Sequence, residues 1–162
     1  MSDSLRFILD IGPDGYRVTQ PSGEVLRFSH MDAALTYLGQ CDRRRLNKQL
    51  VGRLFTLVDE ADWGWPSDNE PIPLHGDCVY FATSKAFPGT VKIGRSSSLR
   101  TRMKTLGKEH GGGKFRPIAY AMTPEMKTLE RALHLYFAEH RATRAEFFHE
   151  APVREFLNGG AK

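Results

Sequence analysis

Residues 78–94 read Cys-Val-Tyr-Phe-Ala-Thr-Ser-Lys-Ala-Phe-Pro-Gly-Thr-Val-Lys-Ile-Gly, and this stretch decides the fold of the C-terminal half. Two runs rich in aromatic and β-branched residues, 78–83 and 90–94, lie on either side of the turn signal at 86–89. Such residues favour strands, and Pro-Gly favours a turn between them. The stretch therefore predicts a β-hairpin.

The chain beyond the hairpin alternates helix and strand patterns. The predicted elements are a helix over Leu99, Met103 and Leu106, a strand at 116–122, a long helix from Thr123 with Met126, Leu129, Leu133, Tyr136 and Phe137 on one stripe, and a short helix from Pro152. Apolar residues three or four positions apart lie on one helix face, and Thr123-Pro124 is a typical helix start. The predicted order of this half is ββαβαα, with a small three-stranded sheet.

The N-terminal part predicts a βββαα unit. Strand-like runs at 6–11, 16–19 and 25–28 are separated by Gly- and Pro-containing turns. A helix is expected to end at Gly39, and a second one to carry Leu46, Leu50, Leu54 and Leu57 on one stripe.

A proline-rich stretch separates the two parts. Residues 63–77 contain three prolines and two glycines but no lysine or arginine, which favours an extended connector. The expected fold class is thus α+β in two small domains: an accessory domain at 1–62, a linker at 63–77 and a second domain at 78–158.

Charge is distributed unevenly between these parts. Residues 1–62 carry eight Lys and Arg against nine Asp and Glu, whereas residues 78–162 carry fifteen against seven. A basic half is a weak indication of nucleic-acid binding. No apolar run approaches the roughly 20 residues of a membrane span, so no membrane partner and a cytoplasmic location are expected. Cys41 and Cys78 do not have the spacing of a metal site.

The hairpin carries a family resemblance. Val79-Tyr80-Phe81 and Lys92-Ile93-Gly94 resemble the paired motifs of the GIY-YIG nuclease superfamily, particularly its T5orf172 or Mug113-like branch, whose second motif commonly reads Lys-Ile-Gly. Over residues 78–149, three further features fit. Arg102 lies at the spacing of the family's catalytic arginine, Glu130 and His134 match its Glu-x-x-x-His helix pattern, and Ala145-Glu146-Phe147-Phe148 is similar to its Glu-Trp-Phe signature.

The resemblance implies a metal-dependent DNA endonuclease, of phage or mobile-element type, that hydrolyses phosphodiester bonds. Tyr80 is the expected general base, with Lys92 close enough to lower its pKa. Arg102 is expected to clamp the scissile phosphate, and Glu130 to hold Mg²⁺ or Mn²⁺. His134, one helical turn from Glu130, is expected to orient a water or accept a proton.

The basic residues around these positions are expected to contact the phosphates of double-stranded DNA. They are Arg95, Arg100, Lys104, Lys108, Lys114 and Arg116.

Two alternatives remain open at the level of sequence. The first motif departs from Gly-Ile-Tyr and Lys92 replaces a tyrosine, which favours a catalytically inactive module that keeps the fold and binds nucleic acid. A protein-interaction component is the other alternative, and residues 1–62 are the expected surface for a protein partner.

Overall fold

The computed structural model of the chain describes residues 7–67, 71–142 and 146–159. Within them the predicted α+β class is confirmed, because a three-stranded sheet and a five-stranded sheet are both accompanied by helices. The chain divides into two compact units between Lys48 and Gln49.

The first unit is built on three antiparallel strands, β1 (Ile8–Gly12), β2 (Gly15–Thr19) and β3 (Val25–Phe28), in that order across the sheet. These confirm the three predicted strands, although Arg6, the expected start of the first, lies outside the described residues. Gly15 has a φ of 120°, and a Cβ there would lie 2.8 Å from the Phe28 carbonyl oxygen. Only glycine fits this turn.

The predicted helix end at Gly39 is wrong. Helix α1 (Met31–Gly52) continues through Gly39, and α2 (Leu54–Glu60) follows after a single residue. A glycine inside a helix costs only about 1 kcal/mol relative to alanine, and a Cβ at Gly39 would meet nothing within 4 Å. Gly39 therefore neither interrupts the helix nor is required by packing.

The second unit contains a five-stranded sheet. Its strands are β4 (Asp62–Gly64), β5 (Cys78–Ser84), β6 (Thr90–Ser96), β7 (Phe115–Met122) and β8 (Phe147–His149), in the order β4-β7-β5-β6-β8 with all neighbours antiparallel. The predicted hairpin is β5–β6 and the predicted third strand is β7. Two short strands, β4 and β8, extend this three-stranded centre at its edges.

Helices cover both faces of this sheet. Helix α3 (Leu99–Glu109) packs on the face that carries Cys78, Tyr80 and Ala82. Helices α4 (Met126–Tyr136) and α5 (Glu150–Gly159) pack, together with α2, on the face that carries Val79 and Phe81. A 3₁₀ turn, Ala138–His140, follows α4. The sequence order ββαβαα is therefore confirmed within the larger sheet.

The second unit begins earlier than the sequence indicates. Leu54, Leu57 and Val58 of α2 are buried in its core, and the indole Nε1 of Trp63 donates a hydrogen bond to the Val58 carbonyl at 2.9 Å. Strand β4 pairs with the end of β7. Residues 49–64, expected in an accessory domain and a linker, belong to the second unit because their apolar side chains complete its core.

Part of the expected linker is also anchored. Gly76 N–H donates to the Ser97 carbonyl at 3.0 Å, the Ser98 hydroxyl donates to the Leu74 carbonyl at 2.7 Å, and Arg100 donates to the Ile72 carbonyl at 2.7 Å. The extended segment 71–77 thus runs along the start of α3. No helix within the described part of the chain is long and apolar enough to span a membrane.

Candidate active site

Tyr80 lies at the centre of the sheet, opposite Gly94 of β6. A Cβ placed on Gly94 would come within 2.4 Å of the Tyr80 hydroxyl oxygen and 2.6 Å of its Cζ, so the ring lies directly across the glycine. The side chain is 1% exposed. Gly94 is therefore the residue that allows Tyr80 its position, which gives the glycine of Lys-Ile-Gly a physical purpose.

Burial raises the pKa of Tyr80 to about 12, and the hydrogen bond and positive charge of Arg102 only partly offset this. Desolvation disfavours the phenolate, whereas a cationic donor favours it. In the free protein the hydroxyl is thus protonated. A general base needs a lowered pKa, so this shift is opposite to the one that the role requires.

Arg102 extends from α3 towards this tyrosine. Its guanidinium donates to the Tyr80 hydroxyl, and Nη1 donates to Glu109 Oε1 at 2.9 Å. Arg102 and Glu109 are seven residues apart, which places them on one flank of the helix. A guanidinium has five N–H donors, so these two partners leave others for a phosphate.

Lys92 has a different partner from the expected one. Its Nζ donates to the Glu146 carboxylate and lies 5.3 Å from the centroid of the Phe147 ring. Lys92 is 4% exposed, so Glu146 neutralises an otherwise buried charge. The expectation that Lys92 activates Tyr80 is not met in this structure, because Arg102 is the cation that hydrogen bonds the tyrosine.

Glu146 is the functional candidate that sequence reasoning left out of the site. Burial would raise its pKa, but the hydrogen bond and charge of Lys92 lower it overall. Its backbone carbonyl accepts a hydrogen bond from Ile93 N–H at 3.1 Å, which ties it to the edge of β6. The signature Ala145-Glu146-Phe147-Phe148 was the signal for it, and Ala145 lies outside the described residues.

Helix α4 contributes Glu130 and His134. Glu130 is largely buried, and its Oε1 accepts a hydrogen bond from Arg95 Nη1 at 3.2 Å. Burial raises the pKa of Glu130, against the lowering influence of His134 and Arg95. The Nε2 of His134 lies 2.8 Å from the Ile93 carbonyl oxygen. Since a carbonyl only accepts, this nitrogen carries the proton and is not free to take one.

These side chains converge on the outer edge of β6. Strand β8 pairs with β6 only at Thr90–Lys92. Beyond Ile93 that edge has no strand partner among the described residues. Glu146 and Glu130 both lie near enough to influence the pKa of Tyr80. The five predicted catalytic residues and Glu146 thus form one polar cluster at an open sheet edge.

The carboxylates of this cluster suit a metal ion most of whose ligands are water and substrate phosphate. Glu130 and Glu146 influence each other's environment electrostatically, since Glu146 contributes to the raised pKa of Glu130. Within the described ranges, no group of three or more His, Cys, Asp or Glu side chains is placed to enclose a metal ion. Mg²⁺ needs only one or two carboxylates when water and phosphate complete its octahedron, so the residues present fit such an ion.

The six predicted phosphate-binding residues do not form one patch. Arg95 is paired with Glu130, and Arg100 donates to the Ile72 carbonyl. The other four line a depression on another side of α3 and are Lys104, Lys108, Lys114 and Arg116. These residues were predicted as one group because they are close in sequence. A helix, however, distributes successive residues around its axis, so neighbours in sequence face different directions.

A family model described as the T5orf172 domain matches residues 77–158. No curated protein and no solved structure shows significant similarity to the chain.

Proposed function

Since the chain belongs to the T5orf172 domain family, a family of nuclease-like domains, we propose that it is a metal-dependent endonuclease of the GIY-YIG type that hydrolyses phosphodiester bonds in double-stranded DNA. The observation that carries this proposal is the convergence of Tyr80, Arg102 and Glu130 at the open edge of β6, with Lys92 and His134 beside them. Hydrolysis of a phosphodiester needs a base, a cationic clamp and a charge-neutralising site together.

Glu130 is the proposed ligand of Mg²⁺ or Mn²⁺. Such an ion, if held by Glu130, would supply positive charge to the phosphoryl oxygens and help to activate a water. Glu130 must first leave Arg95, which holds its Oε1 in the free protein. A DNA phosphate that draws Arg95 away makes this carboxylate available, so substrate and metal bind in support of each other.

Arg102 is the proposed phosphate clamp. Its planar guanidinium already donates to Tyr80 and Glu109, which fixes its orientation before substrate arrives. Pre-positioned donors stabilise charge that develops in the transition state without being reorganised at that moment.

Tyr80 is the proposed base that accepts a proton from the attacking water. Its pKa of about 12 means that very little phenolate exists near neutrality in the free protein. Arg102 is the cation that favours the phenolate. Lys92 acts indirectly, since it pairs with Glu146, whose negative charge raises the pKa of Tyr80. His134, whose Nε2–H donates to Ile93, is a positioning residue for the edge of β6.

A binding module without catalysis is the second candidate. Two observations favour it: the high pKa of Tyr80 and the occupation of Glu130 by Arg95. Such a module uses its unpaired cations to hold nucleic acid and cuts nothing. Of the residues 1–62 expected to bind a protein partner, those of the first unit, which ends at Lys48, remain the proposed surface.

The test is cleavage of supercoiled plasmid and of short labelled duplexes in Mg²⁺ or Mn²⁺. We expect nicking by the wild-type protein and its loss in Glu130→Ala and Arg102→Ala. The matched control is Lys127→Gln, an exposed charge on α4 one turn from Glu130. Salt-dependent DNA binding without cleavage, across both metals, would establish the binding module instead.

A further inference from the structure

A depression of about 520 Å³ lies along α3, away from the flank that carries Arg102. Lys104 and Lys108 line it from the helix, and at 100° per residue they project roughly 200° and 240° around the axis from Arg102. Lys114, just before β7, and Arg116, near its start, line the other side of the depression. This cationic depression is therefore separate from the cluster around Tyr80.

The charges of the cationic depression are unmatched. None of the described residues that line it is acidic. No ion pair joins its four cations to any other residue that the structure describes. By contrast Lys92, Arg95 and Arg102 all have carboxylate partners. Four unpaired cations around one concavity suit a ligand with more than one negative charge.

The floor of the depression is apolar and fixed. Met103 and Phe115 contribute its side chains, and Gly107, Gly112 and Gly113 leave backbone without side chains. Gly112 N–H donates to the Gly107 carbonyl, which closes the loop onto the end of α3. A Cβ on Gly107 would lie 2.9 Å from the Gly113 carbonyl oxygen, so the floor depends on glycine.

A second concavity of about 510 Å³ continues the same track. It shares Gly113, Lys114 and Arg116 with the cationic depression and adds exposed Lys85 beyond them. Two adjoining hollows with cations between them match a chain of linked anions better than a single small anion. Each hollow is within the 300–1,000 Å³ range that is typical of ligand pockets.

We propose that the cationic depression binds a nucleotide of a single-stranded nucleic-acid segment, with its base on the Met103–Phe115 floor and its phosphates on the surrounding lysines and Arg116. The inference rests on the proposed function, because it takes the nuclease's polyanionic substrate as the ligand. A duplex keeps its bases stacked inside, whereas an unpaired strand can place a base on an apolar floor. The preferred substrate is then a duplex with an unpaired extension.

The experiment measures binding by fluorescence anisotropy without added metal, so that cleavage plays no part. A labelled blunt duplex is compared with the same duplex carrying a single-stranded extension, and with one whose extension is abasic. We expect the wild-type protein to prefer the extended duplex about tenfold. An abasic extension should lose most of that preference, because only its phosphates remain to bind.

The test variant is Lys104→Gln/Lys114→Gln, and the matched control is Lys127→Gln/Arg131→Gln, which removes two exposed charges from α4. We expect the test variant to lose the preference. The slope of its log binding constant against log salt concentration should become shallower by about 1.4, or about 0.7 for each lost phosphate contact. The control should keep the preference. Equal wild-type affinity for blunt and extended duplexes, or an equal loss in both variants, would overturn the proposal.

Cleavage then separates the two proposals. If the test variant still nicks blunt duplex while lacking the preference, the depression and the Tyr80 cluster have separate roles, as proposed. If the wild-type preference is present but no substrate is cut, the endonuclease proposal fails and the binding site stands. If the abasic extension binds as well as the intact one, the base-binding floor is refuted.

Discussion

Arg95 of β6 and Glu130 of α4 form an ion pair in which Nη1 lies 3.2 Å from Oε1. The carboxylate is largely buried, with 14% of its side chain exposed, whereas the arginine is 43% exposed. The partner that can move is thus Arg95. Under the proposed function, Arg95 occupies the Glu130 oxygen that a divalent cation would need, so the arginine and the metal would compete for one carboxylate.

Removing the competitor should increase metal affinity in the absence of DNA. Arg95→Gln is expected to bind Mn²⁺ about two- to fivefold more tightly, since a partly exposed ion pair contributes about 0.4–1 kcal/mol. Isothermal titration calorimetry measures this, with Glu130→Gln as the variant that should not bind. Arg154→Gln, which breaks an exposed pair with Glu150, is the control. Unchanged or weaker binding in Arg95→Gln would show that no competition exists.

Gly94→Ala tests the close approach of Tyr80. The new methyl would lie 2.4 Å from the phenolic oxygen, so the ring must move. We expect a loss of about 1–3 kcal/mol of stability from overpacking and a fall in cleavage of up to about 100-fold from a displaced base. Gly52→Ala is the control because nothing lies within 4 Å of its Cβ. A fully active Gly94→Ala protein would separate Tyr80 from catalysis.

Tyr80 should make stability depend on alkaline pH. Its pKa is about 12 in the folded protein against 10.0 for an ordinary tyrosine, so the folded state retains the proton that the unfolded chain releases. This contribution is fully present below pH 10 and is lost as the pH rises through 12. Urea unfolding at about pH 9 and about pH 11 should show a smaller alkaline loss in Tyr80→Phe than in the wild type. The exposed-site control Tyr136→Phe should follow the wild type.

The same tyrosine should set the pH profile of cleavage. If Tyr80 is the base, the rate should rise about tenfold per pH unit through neutrality, since the phenolate fraction rises in that proportion. Tyr80→Phe should be slower and lack that slope. Parallel profiles for the two proteins would assign the base to another group.

Breaking the Lys92–Glu146 pair should destabilise the second unit. Glu146→Gln leaves the ammonium of Lys92 without its carboxylate in a nearly buried position, which we expect to cost about 1–3 kcal/mol. Glu150→Gln, in an exposed helix pair, should cost less than about 0.5 kcal/mol. Urea midpoints measure both. Equal effects would mean that Lys92 finds water when its partner is removed.

The pair should also matter on the acid side. The pKa of Glu146 is lowered in the folded protein, so its contribution is present above the ordinary value of 4.5 and disappears as the pH falls through the lowered pKa. The wild-type protein should therefore lose more stability than Glu146→Gln on acidification below 4.5. Urea midpoints on either side of that value decide it, and identical losses would contradict the pairing.

The strands and helices of the second unit were predictable because their signals are local. Aromatic and β-branched residues on either side of a turn signal marked β5 and β6, and the spacing of Leu99, Met103 and Leu106 marked α3. Trp63 and the extended segment 71–77 were assigned to a linker because their structure depends on partners distant in sequence, namely β7 and the start of α3. Proline-rich composition indicates an absence of helix, but not an absence of fixed contacts.

The residues of the candidate site could be predicted from the sequence, but the hydrogen bonds and ion pairs between them could not. Tyr80, Lys92, Arg102, Glu130 and His134 do meet at one edge. Which cation contacts which acceptor depends on side-chain directions across strands, and this assigned Arg102 to the tyrosine and Lys92 to Glu146. Gly94 is the exception, since a motif glycine beside a large aromatic residue already suggests a close approach.

The region that matches the family model and the body that folds as a unit have different beginnings. A recombination event or a gene fusion that transplanted only the matched region into a new chain would leave α2 and β4 behind. The face that carries Val79 and Phe81 would then no longer be covered by Leu54, Leu57 and Val58. It would become an exposed apolar surface that favours aggregation. Successful transfer of this module between proteins must therefore carry the segment from Gln49 with it, or find an equivalent cover in the recipient.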